Sequence, residues 1–145
     1  MDITIREVKK SDYTGLLPLW NNEIGSSLVT AENIAPHYDR MKGDDRYKTF
    51  VALHEGEVVG FISSVQSFAV GFDVGFIHIV GLATRSEYQG KGIGTKLMQH
   101  LEDYAKEKGV HSIILNTGIQ RTEAHAFYKR KGYDNHSWCF SKRIT

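Results

Sequence analysis

One stretch limits the fold more than any other: Gln89-Gly90-Lys91-Gly92-Ile93-Gly94-Thr95. It follows an almost wholly apolar run, 76–84, which reads as a buried central strand. It opens a segment in which Ile93, Leu97, Met98, Leu101, Tyr104 and Ala105 recur at helical spacing. A buried strand that turns through glycines into an amphipathic helix calls for a sheet with a helix packed on it. Glycines at 90, 92 and 94 permit positive φ and close approach of a ligand to the backbone. The helix start adds free N–H groups and the positive end of the helix dipole. The loop is therefore expected to wrap a phosphate-type anion, with Lys91 and Thr95 adding a cation and a hydroxyl beside it.

Two familiar phosphate loops do not match. A Walker loop ends in Gly-Lys-Ser/Thr, whereas Gly94 is followed by Thr95. A dinucleotide loop is Gly-x-Gly-x-x-Gly after the first strand, with an acidic residue about 20 positions on. Here the spacing is Gly-x-Gly-x-Gly, the loop lies late in the chain, and the next strand runs to Asn116 without an acid.

The remaining pattern reads β-α-α-β-β-β-α-β-α-β. Ile3, Ile5 and Val8 mark an opening strand, and Ser11 is placed to cap a helix carrying Leu16, Leu17, Leu19 and Trp20, broken or kinked at Pro18. Thr30 is placed to cap a second helix with Ile34, Tyr38 and Met41 on its face, followed by a loop at 43–46. Runs 47–53 and 58–65 flank a hairpin turn at His54-Glu55-Gly56-Glu57, and a glycine-containing segment, 67–75, leads to run 76–84. Gly109 ends the long helix, 112–116 is a strand, and a short helix capped by Thr122 ends at Gly132. A closing strand is expected over 137–143, with Trp138 and Phe140. Short links make the three central strands antiparallel, and the crossover through the long helix makes its two strands parallel. The fold class is thus α/β with a mixed sheet flanked by helices, in a single domain over 1–145.

Composition narrows the partners. A net charge of +1, with 24% charged residues, does not point to nucleic acid or an anionic membrane. No apolar run approaches the ~20 residues of a membrane span, and the first eight residues alternate charge with apolar side chains, unlike a signal peptide. The single cysteine, Cys139, allows no internal disulfide or cysteine-rich metal site, and suits a reducing cytoplasm. The seven histidines form no paired helical motif, so no metal is expected.

The loop Gln89-Gly90-Lys91-Gly92-Ile93-Gly94 resembles the Gln/Arg-x-x-Gly-x-Gly/Ala signature of the GCN5-related N-acetyltransferases (GNAT). Phe127-Tyr128-Lys129-Arg130-Lys131-Gly132-Tyr133 is similar to the aromatic-Tyr-x-x-x-Gly-aromatic ending of the same enzymes, and the element order resembles their fold. The resemblance covers about Ile3 to Ile144. It implies acetyl-CoA as co-substrate, bound in a gap between the strand before the loop and the strand after the helix. Leu82, Ala83 and Thr84 would line the pantetheine arm with their backbone. Gln89, Gly90, Lys91, Gly92, Ile93, Gly94 and Thr95 would hold the pyrophosphate, and Asn116 would stand at the second strand. Where the family often has Asn, seven residues before the motif Tyr, this chain has Arg121; Arg121, Ala124 and Tyr128 share a helix face.

The implied reaction is direct attack of an amine on the thioester in a ternary complex. Tyr128 corresponds to the family's general acid, and a backbone N–H near Leu82 or Ala83 is the natural oxyanion donor. The strand 76–84 has no acid, so the base is open: His78 on that strand, or a water chain. Glu23 is a candidate for a cationic amine, and His125, three residues before Tyr128, a candidate neighbour. No acyl-cysteine is expected. The segment Arg121-Thr122-Glu123-Ala124-His125-Ala126-Phe127-Tyr128 resembles bacterial small-amine acetyltransferases, aminoalkylphosphonate-acetylating ones among them. The acceptor is then a primary amine of a small molecule or peptide, the protein a monomer or homodimer. The alternative is a non-catalytic acyl-CoA-binding sensor, which would keep the loop but would not need Tyr128.

Overall fold

The computed structural model describes residues 1–145, the side chain of Phe72 excepted. The chain forms two compact units, Met1–Ile114 and Leu115–Thr145.

The first unit is built on a sheet of order β1-β2-β3-β4-β5, with β1 Thr4–Glu7, β2 Tyr47–His54, β3 Glu57–Ala69, β4 Phe72–Thr84 and β5 Ile113–Leu115. The first four strands pair antiparallel in sequence order. The chain then crosses through helix α3, Ile93–Glu107, and β5 takes the free edge of β4, where Ile77 N–H donates to Ser112 O at 3.0 Å. The sheet is mixed, as the sequence pattern requires.

Each face of the sheet has its own cover. Val51, Phe61 and Ala83 lie side by side in register and pack with Tyr13, Leu16, Leu19, Ile34 and Tyr38. Those side chains come from α1 (Tyr13–Pro18), from the π-helical turn Leu19–Ile24 that continues it, and from α2 (Ile34–Lys42). On the other face Phe50 meets the rings of His100 and Tyr104 on α3, at 4.5 and 5.7 Å. Ile93, Leu97, Met98, Leu101 and Ala105 form the buried stripe of that helix, which is the stripe read from its spacing. The helix sits close at Gly60, where an added Cβ would lie 3.0 Å from Ala83 O and 3.2 Å from the Ile93 Cγ2 methyl.

Local chemistry explains most boundaries. At the start of α2, Thr30 Oγ1 accepts the Asn33 N–H (3.1 Å) and Asn33 Oδ1 accepts the Thr30 N–H (2.8 Å), a reciprocal cap. The β2–β3 turn places Glu55 at φ 51° and Gly56 at φ 80°, the paired positive values that suit a two-residue hairpin. Gly109 and Gly132 end their helices at φ 73° and 89°.

Several expectations are corrected. Segment 67–75 is not a loop: β3 and β4 run on until Ala69 pairs with Phe72 around a two-residue turn. Its glycines mark the irregular points rather than a break: Gly71 lies in the turn, and Gly75, at φ 80°, lies in the register shift between the Ser67–Phe76 and Ala69–Phe72 pairs. Ser11 does not cap α1; it lies in a 3-10 turn, Lys10–Asp12, and the Asp12 carboxylate accepts the Lys9 N–H (2.7 Å) and both guanidinium nitrogens of Arg6 (2.7 and 3.0 Å). Thr122 is the first residue of α4, Thr122–Arg130, and makes no side-chain cap.

Within the second unit, α4 is followed by Gly132, and Tyr133 N–H donates to Tyr128 O at 3.0 Å. The closing strand expected over 137–143 is not formed: residues 133–145 carry no regular structure, and Trp138 and Phe140 are 82% and 93% exposed. Alternation of apolar side chains creates strand propensity, yet a strand exists only where another strand pairs with it.

Candidate active site

The glycine loop is shaped by its backbone. Gly90 and Gly92 adopt φ of 76° and 83°, a region other residues enter only with strain, and an added Cβ at either would meet nothing within 4 Å. The loop therefore opens outward. Gly92 is the N-cap of α3 and its carbonyl accepts the Lys96 N–H (3.1 Å), so the amides of Ile93, Gly94 and Thr95 precede the first intrahelical donor and have no helical acceptor. Ile93 itself is fully buried and roots the loop in the core, while Gln89, Gly90, Lys91 and Gly92 are exposed. Unpaired N–H groups, a helix dipole end and a lysine together are an arrangement that could hold an anion.

The strand leading into the loop has an irregularity that the sequence does not announce. Ser63 pairs with Gly81 and Ser64 with Ile79, which leaves Val80 as the extra residue of a β-bulge, 52% exposed. Beyond the bulge, Arg85 N–H donates to Val59 O at 2.8 Å. Alternation by twos then turns the backbone groups of Ala83 toward β3 and those of Leu82 and Thr84 toward the opposite edge. Of the three residues singled out here, Leu82 and Thr84 thus present their amides outward, and Ala83 uses its own in the sheet.

Gly81 leaves space that the neighbouring aromatics use. A Cβ there would lie 3.0 Å from Trp20 Cη2 and 3.1 Å from Phe61 Cε2. Trp20 packs on Phe61 with ring centroids 5.1 Å apart and donates Nε1–H to Tyr38 Oη at 2.8 Å. Burial raises the Tyr38 pKa, against the lowering effect of hydrogen bonds from Trp20 and Ser63. Thr49 and Ser63 share a buried hydrogen bond of 2.9 Å below them. His78 is half-buried and in register with Val65 and Tyr47, on the face of the sheet that carries Gly81 and Ser63.

Glu23 stands beside the loop: its carboxylate accepts Ser86 Oγ–H at 2.6 Å and Gln89 Nε2–H at 3.2 Å. Ser86 was not singled out in the sequence, and no pattern there would reveal a contact across more than sixty residues.

In the second unit, Arg121 is the N-cap of α4. Tyr128 is half-buried, edge-to-face with Phe127 (5.3 Å) and Tyr133 (6.2 Å). Burial raises its pKa, and the positive charge of Arg121 partly offsets this, in keeping with the shared helix face. His125 Nε2 is 2.8 Å from Gly118 O, so the ring holds the turn before α4. Asn116 directly follows β5, and next to it the Thr117 hydroxyl is buried without a hydrogen-bond partner. An orphaned hydroxyl of this kind is costly unless a ligand or water completes it. Cys139 is exposed. Among the described residues no group of three or more His, Cys, Asp or Glu is placed to hold a metal.

Residues 16–133 match the acetyltransferase (GNAT) family. The aminoalkylphosphonate N-acetyltransferase of Salmonella typhimurium is 34% identical over 94 residues, 65% of this chain and 61% of that protein. The uncharacterized N-acetyltransferase YhdJ of Bacillus subtilis is 34% identical over 124 residues, 83% of this chain and 87% of its own. The chain thus spans about three fifths of the Salmonella protein and most of the Bacillus one. Among solved structures, AAC(6')-Iy in complex with a CoA-containing bisubstrate analogue superposes with a TM-score of 0.86 at 14% identity, covering 100% of this chain and 99% of that one, a likeness of fold.

Proposed function

The chain belongs to the acetyltransferase (GNAT) family, and from that membership we propose that it transfers acetyl from acetyl-CoA to a primary amine of a small molecule or peptide. The observation that carries this reading is the glycine loop, with Gly90 and Gly92 in left-handed conformation and open above, at the amino end of α3. A pyrophosphate suits that cradle: no Cβ fills it, the amides of Ile93, Gly94 and Thr95 lack helical acceptors, and Lys91 supplies charge.

Acetyl-CoA supplies an acyl group already activated as a thioester. The chain's own residues do the rest. Gln89, Gly90, Lys91, Gly92, Ile93, Gly94 and Thr95 hold the pyrophosphate. Leu82 and Thr84 turn their backbone outward along the pantetheine arm, with Ala83 between them, and the Leu82 N–H is the donor to the acetyl carbonyl oxygen. Asn116, Arg121 and Ala124 complete the donor side. Tyr128, protonated at neutral pH as an ordinary tyrosine is and the more so for its burial, gives its phenolic proton to the leaving sulfur. His78 is the candidate to take the proton from the amine. Attack is direct, in a ternary complex, with no acyl-cysteine.

The Salmonella relative's name and the analogue bound by AAC(6')-Iy favour a small amine as acceptor. Among the described residues no helix is long and apolar enough to cross a membrane, and the proposed compartment is the cytoplasm. The test mixes protein, acetyl-CoA and a panel of polyamines, amino acids, aminoglycosides, aminophosphonates and peptide N-termini, and follows free thiol. Amine-stimulated release from at least one class supports the reading. Tight acetyl-CoA binding without such release across the panel would favour an acyl-CoA sensor instead.

A further inference from the structure

Both oxygens of Glu23 are engaged by groups from the donor side of the first unit. Ser86 Oγ–H donates to Oε1 at 2.6 Å and Gln89 Nε2–H to Oε2 at 3.2 Å, while the same Gln89 nitrogen donates to Thr84 O at 3.1 Å. Ser86 begins the 3-10 turn Ser86–Tyr88, and Gln89 is the first residue of the glycine loop. Neither donor is a cation, so the carboxylate is oriented rather than neutralised.

Glu23 lies in the π-helical turn Leu19–Ile24, which ends at Gly25 with φ 85°. From that turn Asn21 Nδ2 donates to both Ser26 O (2.9 Å) and Val29 O (2.8 Å), and Asn33 Nδ2 donates to Leu28 O at 2.7 Å. Residues 19–30 are thereby one hydrogen-bonded arm. It carries Trp20 against Gly81 at one end, and Glu23 ties it to the donor loop. A π-turn is a rare, sparsely stabilised geometry, so the arm depends on contacts outside itself.

We propose that Glu23 is a positioning residue that couples occupancy of the glycine loop to the order of arm 19–30, and so prepares the acceptor side once the donor is bound. The inference rests on the reading of the loop as a pyrophosphate site. Ser86, Glu87 and Gln89 are exposed, so without a ligand at the loop water competes for the hydrogen bonds to the carboxylate. An anion clamped by the loop amides fixes the Gln89 backbone, and with it both donors to Glu23. By linkage, whatever steadies that contact steadies the arm.

Hydrogen exchange of the full chain, with CoA as the probe, tests this. CoA is expected to slow exchange in 89–96 and also in 19–30. Glu23→Ala keeps the first effect and reduces the second about 5-fold or more, the lower end of ordinary coupling between sites. Glu23→Gln, which retains an acceptor for Ser86, restores part of it, and Ser86→Ala carries the same test if Glu23→Ala fails to fold. Slowing of 19–30 that is equal in wild type and Glu23→Ala overturns the proposal. So does slowing of 89–96 without any at 19–30 in wild type. No slowing at 89–96 at all removes the pyrophosphate reading and this proposal together.

Discussion

Replacing Gly92 by Asp and, separately, by Asn isolates the effect of one negative charge at the loop proposed to receive the pyrophosphate. Gly92 sits at φ 83° and ψ 9° immediately before α3, and a Cβ there would touch nothing within 4 Å. The steric cost of either substitution is therefore the left-handed backbone alone, about 1–2 kcal/mol for an ordinary L-residue and less for Asn or Asp. Both variants bear that cost alike, and they differ by one negative charge beside the loop. Two unit charges 4 Å apart repel by about 1 kcal/mol in water and about 4 kcal/mol at an effective dielectric of 20. An exposed loop lies toward the lower figure, but a pyrophosphate presents more than one charge. The Asp–Asn difference should be about 2–3 kcal/mol, or about 30- to 150-fold in Kd. Calorimetric titration of CoA into each variant at 0.15 M salt measures it directly. High salt should narrow the gap, since the charges are exposed. Equal CoA affinity of the Asp and Asn variants would refute the argument that this loop holds the phosphates.

Tyr128→Phe should lower amine-dependent thiol release about 10²-fold, the usual range for a lost general acid; because burial raises the Tyr128 pKa, its contribution should persist to a pH above the ordinary tyrosine value, and unchanged turnover in the variant would remove the role. Asp12→Ala should cost about 2 kcal/mol in urea unfolding, since it leaves Arg6 half-paired. Burial pushes the Asp12 pKa up, but the Arg6 and Lys9 hydrogen bonds outweigh it and the net shift is down. The pair's contribution is then complete above the unfolded value of 3.8 and is lost as pH falls through the lower folded value, so a wild type–variant difference that does not shrink in acid would contradict it. Gly81→Ala crowds Trp20 and Phe61 and should cost about 1–3 kcal/mol, with a change in tryptophan fluorescence; wild-type stability would show that Trp20 does not pack there.

What was legible in the sequence was local. The stripe of α3, the glycine stops at 109 and 132, the Glu55-Gly56 turn and the glycine loop all depend on neighbours within a few residues, so their chemistry can be read along the chain. What was hidden depends on partners far away. The bulge at Val80 arises from the register between β3 and β4, which an apolar run cannot encode. Gly71 and Gly75 suggested a loop, whereas they occupy only the turn and a register shift between two strands that run on to Ala69 and from Phe72. Trp138 and Phe140 alternate as a strand would, yet residues 133–145 form none. The Glu23 contact with Ser86 and Gln89 appears only once the π-turn is folded against the donor loop.

The most direct measurement is a titration of CoA into isotope-labelled protein, followed residue by residue through the backbone amides. The expected outcome is saturable binding with the largest shifts at Gly90, Gly92, Gly94 and Thr95, joined by Leu82 and Thr84. Saturable binding that leaves the amides of the glycine loop unmoved would contradict the assignment of this loop as the site that grips the donor.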